Sequence, residues 1–173
     1  AIQMANEVGA AKVIVTVGTA EKAYACLELG ADHALIYRDT AWEDTVLTLT
    51  DGKGVDVILD MVAGDYVARG QKCLAVDGRL VIIAVQGGTD ANFHAAMAMV
   101  KRQTFTGSTL RPQSIEAKDA LAMGLNEHVW PLLNNGTIKP VIHATFPLEQ
   151  ASDAHAMMEG GEHIGKIVLT VGD

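Results

Sequence analysis

Short apolar runs alternate with amphipathic segments through most of the chain. The run 12–17 is rich in β-branched residues and ends at Gly18, and Thr19 follows as an N-cap for a helical pattern that Gly30 ends. Strands that alternate with helices of about 10–15 residues predict βαβ units, a parallel sheet and right-handed crossovers. The pattern predicts strands over 12–17, 33–37, 55–59, 79–85 and 104–108, and helices over 19–29, 41–50, 65–74, 93–101 and 114–133.

Two of these strands, one helix and the chain start carry further expectations. Strands 55–59 and 80–85 are apolar on both faces, so we expect both in the middle of the sheet. Pro131 is expected to bend the last long helix, because proline removes a backbone hydrogen bond. The chain opens on a helical stretch, 1–8, that Gly9 ends, without an initiator Met or an N-cap. We therefore expect the sequence to begin inside an element and to be a fragment.

The pattern changes in the C-terminal part of the chain. An extended stretch with prolines near both ends, 138–147, is followed by a short amphipathic helix over 148–158 and a strand over 165–171. This tail does not continue the alternation of strand and helix, and it either caps the sheet or belongs to another domain. We therefore predict a domain boundary between residues 1–136 and a tail, residues 137–173.

Composition and charge argue against binding to nucleic acid or to a membrane. The chain has 173 residues, of which 49% are hydrophobic and 20% charged, enough for one well-packed domain. Its formal charge of −8 and its lack of a basic cluster argue against a nucleic-acid surface. No apolar run reaches the roughly 18 residues that a membrane-spanning helix needs. We therefore expect neither a nucleic-acid nor a membrane partner.

The cysteines and histidines show no metal-binding spacing. Cys26 and Cys73 both lie in helical patterns, and two buried thiols in a reducing compartment are favoured over a disulfide or a metal site. The six histidines are scattered and form no H-E-x-x-H or comparable set. We expect no metal site in this chain.

The joint between strand 12–17 and the next helix carries the most specific chemistry. Helix N-termini attract anionic groups, and the end of the second strand of a doubly wound sheet meets the adenosine ribose of a dinucleotide. No acid stands at this strand end to bind a ribose hydroxyl, and Lys22 lies one turn beyond Gly18 and Thr19. A cation there favours the 2′-phosphate of NADP over NAD. An ordinary βα turn with a surface lysine remains the alternative.

Two carboxylates and several glycines are better explained by structure than by chemistry. Asp56 and Asp60 lie at opposite ends of strand 55–59, so they cannot form an acid/base pair, and we interpret them as residues that terminate the strand. The glycine pairs at 87–88 and 160–161 are interpreted as turn glycines. Neither pair opens a helix after a strand, as the G-x-G-x-x-G loop must.

The segments together resemble the C-terminal part of the medium-chain dehydrogenase/reductase superfamily, and within it the zinc-independent NADPH:quinone oxidoreductase (zeta-crystallin-like) branch. The resemblance covers essentially the whole chain in order. Its motifs are 1–5 (AIQMA), 16–22 (TVGTAEK), 29–32 (LGAD), 54–60 (GVDVILD), 73–74 (CL), 77–79 (DGR), 154–159 (AHAMME) and 164–169 (IGKIVL).

The resemblance implies an α/β fold, a Rossmann-like doubly wound parallel sheet of strand order 3-2-1-4-5-6. It also implies that this chain lacks the first strand and the Gly-rich loop, and that its tail returns to the catalytic domain. Strands 12–17 and 55–59 would then flank the missing strand and would not pair with each other. On this reading, the chain by itself binds cofactor weakly or not at all.

The resemblance also implies which residues bind the cofactor, NADP(H). Lys22 is the expected phosphate partner, assisted by Tyr37 or Arg38, whereas Glu21 replaces a neutral residue and opposes the phosphate. For Val62, Ile83 and Leu110, core packing remains an alternative, and no catalytic residue is assigned. The implied cofactor-binding residues are Gly18, Thr19, Lys22, Tyr37, Arg38, Val62, Ala63, Ile83, Ala84, Val85, Ser108, Thr109, Leu110 and Lys166.

The function implied by the resemblance is hydride transfer from NADPH to a quinone or an enone-type carbonyl acceptor. An enoyl-thioester reductase of the same superfamily is an alternative. A non-catalytic nucleotide-binding or structural module is another, because the same fold can be kept without the catalytic activity. The resemblance further implies a cytoplasmic homodimeric enzyme whose other partner is a small-molecule substrate.

Overall fold

The computed structural model describes residues 1–172 and divides the chain into two compact units. The terminal unit consists of Ala1–Val15, Thr19–Ala34 and the residues from Ala120 onward. The central unit consists of Thr16–Gly18 and Leu35–Asp119. The boundary predicted between residues 136 and 137 stays a prediction.

Strands and helices alternate along the chain, as the sequence pattern predicts. The strands are β1 (Ile14–Val17), β2 (His33–Ile36), β3 (Val55–Asp60), β4 (Leu74–Ile82), β5 (Thr104–Gly107), β6 (Ile142–Pro147) and β7 (Lys166–Thr170). The helices are α1 (Ile2–Glu7), α2 (Ala20–Glu28), α3 (Trp42–Leu49), α4 (Asp65–Cys73), α5 (Ala95–Lys101), α6 (Ile115–His128), α7 (Trp130–Asn134) and α8 (Ala151–Gly160). The ladders β3-β4, β4-β5 and β6-β7 are parallel, which confirms an α/β fold with parallel sheets.

The β1–α2 joint forms as its residues predict. Thr19 caps α2, and its hydroxyl oxygen accepts a hydrogen bond from the backbone N–H of Lys22 at 3.3 Å. The turn after α2 passes through Gly30, whose φ of +96° favours glycine. Asp32 then accepts a 2.6 Å hydrogen bond from the backbone N–H of Val13 and so ties the start of β2 to the start of β1.

The central unit is built around β4, the middle strand of the sheet β3-β4-β5. Leu74 and Leu80 on this strand are fully buried. The expectation that β3 also lies in the middle of the sheet is wrong, and Val57 and Leu59 on it are 65% and 55% exposed. Among residues 1–172, β3 pairs with β4 alone, so its second edge and part of its surface stay open. The prediction that β1 and β3 do not pair is confirmed, since they belong to different sheets.

Two elements differ in form from their predictions, whereas the others differ only by a few residues at their ends. β4 begins at Leu74 rather than Arg79, and the expected Asp77-Gly78 turn becomes an irregularity inside the strand, where the register opposite β3 shifts. The expected bend in the helix 114–133 becomes a break between α6 and α7. The break falls at Val129, two residues before Pro131, which has no N–H to donate to the helix.

The tail continues the alternation of strand and helix, contrary to expectation. β6, α8 and β7 follow one another, and β6 pairs with β7 in parallel. Pro140 precedes β6 and Pro147 is its last residue, so both prolines stand where a parallel ladder tolerates them. The prolines that mark this stretch in the sequence therefore limit the strand without preventing it. Within residues 1–172, no helix has the length and apolar character that crossing a membrane requires.

Candidate functional site

Three turns meet at the carboxyl edge of the sheet β3-β4-β5. We call them the edge turns: residues 61–64 after β3, 83–88 after β4 and 108–110 after β5. The backbone N–H groups of Ile83 and Ser108 donate to the carbonyls of Asp60 and Ile82, at 2.7 and 2.9 Å. The carboxyl edge of a parallel α/β sheet is where such folds bind their ligands.

Asp60 organises the first edge turn. Its carboxylate is 6% exposed, and its Oδ1 accepts hydrogen bonds from the backbone N–H groups of Val62 and Ala63 at 2.8 and 3.0 Å. Its Oδ2 is also buried, and no hydrogen-bond partner for it occurs among the described residues. The prediction that Asp60 terminates the strand is confirmed, and the same carboxylate shapes the turn that follows.

The first and second edge turns approach so closely that position 64 requires glycine and position 87 has little room for a side chain. Gly64 has φ +55° and ψ −130°, and a Cβ there would lie 2.6 Å from the carbonyl oxygen of Gly87. A Cβ at Gly87 would lie 2.8 Å from Cγ1 of Val62, and the Gly87 N–H donates to the Val62 carbonyl at 2.6 Å. The two turns therefore approach each other main chain to main chain, with the Val62 side chain beside the contact.

A second group of predicted site residues meets at the end of β1. The N–H of Tyr37 donates to the Val17 carbonyl at 3.0 Å, and a Cβ on Gly18 would lie 3.1 Å from the Tyr37 hydroxyl. The guanidinium carbon of Arg38 lies 5.9 Å from the centroid of the Tyr37 ring. The structure thus brings Gly18, Tyr37 and Arg38 together within the central unit.

An aromatic cluster that sequence reasoning missed lies behind Tyr37. The ring of Tyr66 meets Tyr37 edge-on at 6.2 Å and lies 5.5 Å from Trp42. Arg69 lies 4.8 and 5.2 Å from the centroids of Trp42 and Tyr66. Its Nε donates to Oε2 of Glu43 at 2.9 Å, and its Nη2 forms an ion pair with the same oxygen at 2.7 Å. The one sequence signal is the three-residue spacing of Tyr66 and Arg69 on α4, which places both on one helix face.

The electrostatics of this cluster follow from burial and from the Arg69 charge. Burial alone would raise the pKa of Glu43, but hydrogen bonding and charge from Arg69 outweigh it and lower the pKa below its ordinary value of 4.5. Burial raises the pKa of the Tyr66 hydroxyl above 10.0. Glu43 and Arg69 therefore stay paired as ions, and Tyr66 stays neutral, at physiological pH.

The family follows from a comparison over most of the chain. Residues 29–169 match a family model described as zinc-binding dehydrogenase. The chain belongs to the medium-chain dehydrogenase/reductase superfamily. This confirms the superfamily that the sequence motifs indicate.

Two curated relatives show how members of this superfamily differ in size. A highly reducing polyketide synthase, cm3B, of Cordyceps militaris is 37% identical over 177 residues, which cover 99% of this chain and 7% of that protein. Quinone oxidoreductase-like protein 2 of Bos taurus is 29% identical over 174 residues, which cover 98% of this chain and 48% of that protein. The chain therefore spans about half of one relative and a small part of the other.

Solved structures of the superfamily share the fold. An NAD-dependent alcohol dehydrogenase has a TM-score of 0.81 and 31% identity over 99% of this chain and 47% of its own. A mycobacterial protein solved in complex with NADPH has a TM-score of 0.79 and 28% identity over 98% of this chain and 53% of its own. Pyridine-nucleotide binding is thus a property of this superfamily, with NAD named for one neighbour and NADPH for the other.

The remaining predicted site residues of this superfamily member fall into two groups. Ile83 and Leu110 at the edge turns are 44% and 60% exposed, so core packing within the described residues does not account for them. Val62 is half-buried and stays open to either explanation. The central unit places Val62, Ala63, Ile83, Ala84, Val85, Ser108, Thr109 and Leu110 at the edge turns, whereas Thr19, Lys22 and Lys166 belong to the terminal unit.

Within the terminal unit, the predicted phosphate partner already has a partner of its own. Nζ of Lys22 donates to the carbonyl oxygen of Gly161, at the C-terminal end of α8, at 2.5 Å. Hydrogen bonds from its own backbone N–H and from the Thr19 hydroxyl lower the pKa of Glu21. The N–H of Lys166 donates to the Val141 carbonyl at 2.8 Å. A lysine ammonium has three donors, so the bond to Gly161 leaves two donors of Lys22 for an anion.

Metal-binding side chains do not cluster in the part of the chain that the structure describes. Among residues 1–172, no group of three or more His, Cys, Asp or Glu side chains is arranged to hold a metal ion. Both cysteines are free thiols, as expected, although only Cys73 is fully buried. Burial raises the pKa of Cys73 to about 11, so this thiol is uncharged at neutral pH.

Proposed function

We propose that the protein containing this chain transfers hydride from NADPH to a quinone or an enone-type carbonyl acceptor. The observation that supports this most directly is the backbone surface of the edge turns. Gly64 leaves no room for a Cβ, Gly87 leaves little, and Asp60 holds the first turn with two hydrogen bonds. A hydrogen-bonded backbone surface at the carboxyl edge of a parallel sheet fits a nucleotide that must lie close to the main chain.

The proposal gives each group of residues a separate task. Gly18, Tyr37 and Arg38 meet the adenosine end, and Lys22 pairs with the 2′-phosphate beyond the Thr19 cap. The turn that contains Val62 and Ala63 runs beside the ribose. The nicotinamide end is met by Ile83, Ala84, Val85, Ser108, Thr109 and Leu110, with Lys166 as a further contact.

The cofactor, when bound, supplies the hydride, and the protein supplies position and polarity. The exposed apolar side chains of Ile83, Val85 and Leu110 are suited to cover an aromatic ring and exclude water from it. The hydroxyls of Ser108 and Thr109 follow β5 at the same edge and can bond polar groups of the ligand. We assign no proton donor to this chain.

A second acceptor class is favoured by a specific comparison. The likeness to a highly reducing polyketide synthase supports an enoyl thioester, whose conjugated carbonyl accepts hydride as an enone does. The likeness to quinone oxidoreductase-like protein 2 supports the quinone. Both acceptors need the same nucleotide geometry, so the acceptor must be decided by assay.

The test is a panel of acceptors offered to the intact protein with NADPH. Loss of NADPH absorbance is followed with benzoquinone, cyclohexenone and a crotonyl thioester, and NADPH binding is followed separately by its fluorescence. We expect turnover with benzoquinone or cyclohexenone. Turnover with the thioester alone would support the enoyl reductase instead. Binding without turnover would indicate a non-catalytic nucleotide-binding module, and absence of both would reject the proposal.

The cofactor preference is tested at Lys22. We expect Lys22→Ala to raise the KM for NADPH about ten-fold and to leave the KM for NADH nearly unchanged, because an exposed charged contact is worth about 1–2 kcal/mol. Steady-state kinetics of the intact protein with both cofactors measure the two constants.

The matched control for this variant is Lys53→Ala. Lys53 is an exposed lysine in the turn before β3 and has no place in the proposed site. It should leave both KM values unchanged, which removes general charge effects from the comparison. Equal changes for NADPH and NADH in Lys22→Ala would show that Lys22 does not bind the phosphate.

A further inference from the structure

We propose that Tyr66 is a positioning residue that holds the ring of Tyr37 in place at the adenosine end of the nucleotide site. This inference rests on the proposed function, because Tyr37 matters only if a nucleotide binds beside it. All the residues involved belong to the central unit.

The first step is the contact between the two rings. Tyr37 and Tyr66 meet with their centroids 6.2 Å apart and their planes at 78°, the edge-to-face arrangement that aromatic pairs prefer. Tyr37 in turn places its hydroxyl where a Cβ on Gly18 would lie only 3.1 Å away. Gly18 therefore leaves just enough room for the Tyr37 hydroxyl. Tyr66 contacts the ring of the same Tyr37 side chain.

The second step is the support behind Tyr66. The buried ring of Trp42 lies 5.5 Å from the Tyr66 ring, with an angle of 32° between their planes. Tyr66 therefore packs against a hydrophobic side chain. The Arg69 guanidinium contacts both rings, at 4.8 and 5.2 Å from their centroids. Glu43 binds that guanidinium through one hydrogen bond of 2.9 Å and an ion-pair contact of 2.7 Å. The Tyr66 ring is therefore packed between Tyr37, Trp42 and the Arg69–Glu43 ion pair, and these contacts restrict its movement.

The third step is what this fixation does for binding. Tyr37 has two free side-chain torsions, and a ring ordered before the ligand arrives saves the entropy of ordering it on binding. A fixed ring also holds its hydroxyl and face in one orientation beside Gly18. Tyr66 should therefore affect nucleotide affinity without touching the nucleotide and without affecting the hydride-transfer step.

The experiment measures nucleotide affinity in ring-deleting and ring-keeping variants of the intact protein. We expect Tyr66→Leu to raise the Kd for NADPH about three- to ten-fold, the range that one aromatic pair supports, with kcat within about two-fold of wild type. Tyr66→Met, which replaces the ring with an unbranched side chain of about the same volume as leucine, should behave like Tyr66→Leu. Tyr66→Phe keeps the ring and should restore the wild-type Kd.

A double-mutant cycle separates positioning from general destabilisation. If Tyr66 acts through Tyr37, Tyr66→Leu should not raise the Kd further in a Tyr37→Leu background. The matched control is Phe93→Leu, which removes a similar edge-on pair, Phe93 with Phe105 at 4.9 Å and 87°, elsewhere in the same unit. It should leave the Kd within about two-fold of wild type.

The outcomes separate this inference from the proposed function. An unchanged Kd in the Tyr66→Leu and Tyr66→Met variants, or additive effects in the cycle, would overturn the positioning role while wild-type binding of NADPH leaves the function standing. A wild-type protein that does not bind NADPH at all would overturn both. A fall in kcat at an unchanged Kd would also count against the positioning role.

Discussion

Gly64→Ala is expected to lower the free energy of unfolding by about 3–5 kcal/mol and to weaken NADPH binding at least about ten-fold. The backbone at Gly64 has φ +55° and ψ −130°, which an alanine adopts at a cost of about 1–3 kcal/mol. Its Cβ would also stand 2.6 Å from the Gly87 carbonyl oxygen, so the first and second edge turns would have to move apart. Because both turns belong to the proposed nucleotide surface, stability and affinity should fall together.

Thermal unfolding and an NADPH titration of the intact protein measure the two effects. At about 2–4 °C per kcal/mol, the melting temperature should fall by roughly 6–20 °C. Gly124→Ala is the matched control, since Gly124 lies in α6 and a Cβ there meets nothing within 4 Å. Alanine is a better helix former than glycine by about 0.5–1 kcal/mol, so this variant should be as stable as wild type or more so. A Gly64→Ala protein with wild-type melting and affinity would contradict the close approach of the turns.

Asp60→Ala is expected to cost about 2–4 kcal/mol of stability and to loosen the first edge turn. The variant removes the acceptor of two hydrogen bonds, and the N–H groups of Val62 and Ala63 would be left without it in a largely buried place. Hydrogen bonds to charged groups contribute about 1.5–3 kcal/mol each, and relief of the unpaired, buried Oδ2 offsets part of the loss. NADPH affinity should fall as well, because the turn that passes the ribose loses its anchor.

Two control variants show whether the carboxylate acts through its hydrogen bonds. Asp60→Asn keeps an oxygen that can accept from the same N–H groups, so it should lose clearly less stability than Asp60→Ala. Asp56→Ala, on an exposed residue of the same strand, should change the free energy of unfolding by less than about 0.5 kcal/mol. Chemical denaturation of the three variants measures these differences. Equal losses for alanine at positions 56 and 60 would rule out the anchoring role.

Where the sequence was informative, the signals were local. The Thr19 cap, the glycine after α2 and the alternation of apolar runs with amphipathic segments placed most elements within a few residues. Each depends on interactions over one helical turn or one strand, so nearby residues are enough to predict them. The family was likewise predicted from short motifs and their order along this chain. The candidate site residues carried over with that family remain predictions.

The contacts that the sequence does not predict join residues that lie far apart in the chain. Tyr66 touches Tyr37 from 29 positions away, and Lys22 donates to Gly161 from 139 positions away. Parallel ladders bring such residues together through crossovers whose packing no local period encodes. The same reason explains why the predictions for β3 and for the tail were wrong. The neighbouring strands of β3 determine whether Val57 and Leu59 are covered. Pairing between distant residues likewise determines whether β6 and β7 form a sheet. Local residue patterns thus predict the elements and the family, whereas the packing of distant elements sets the aromatic support of Tyr37 and the close approach of the edge turns.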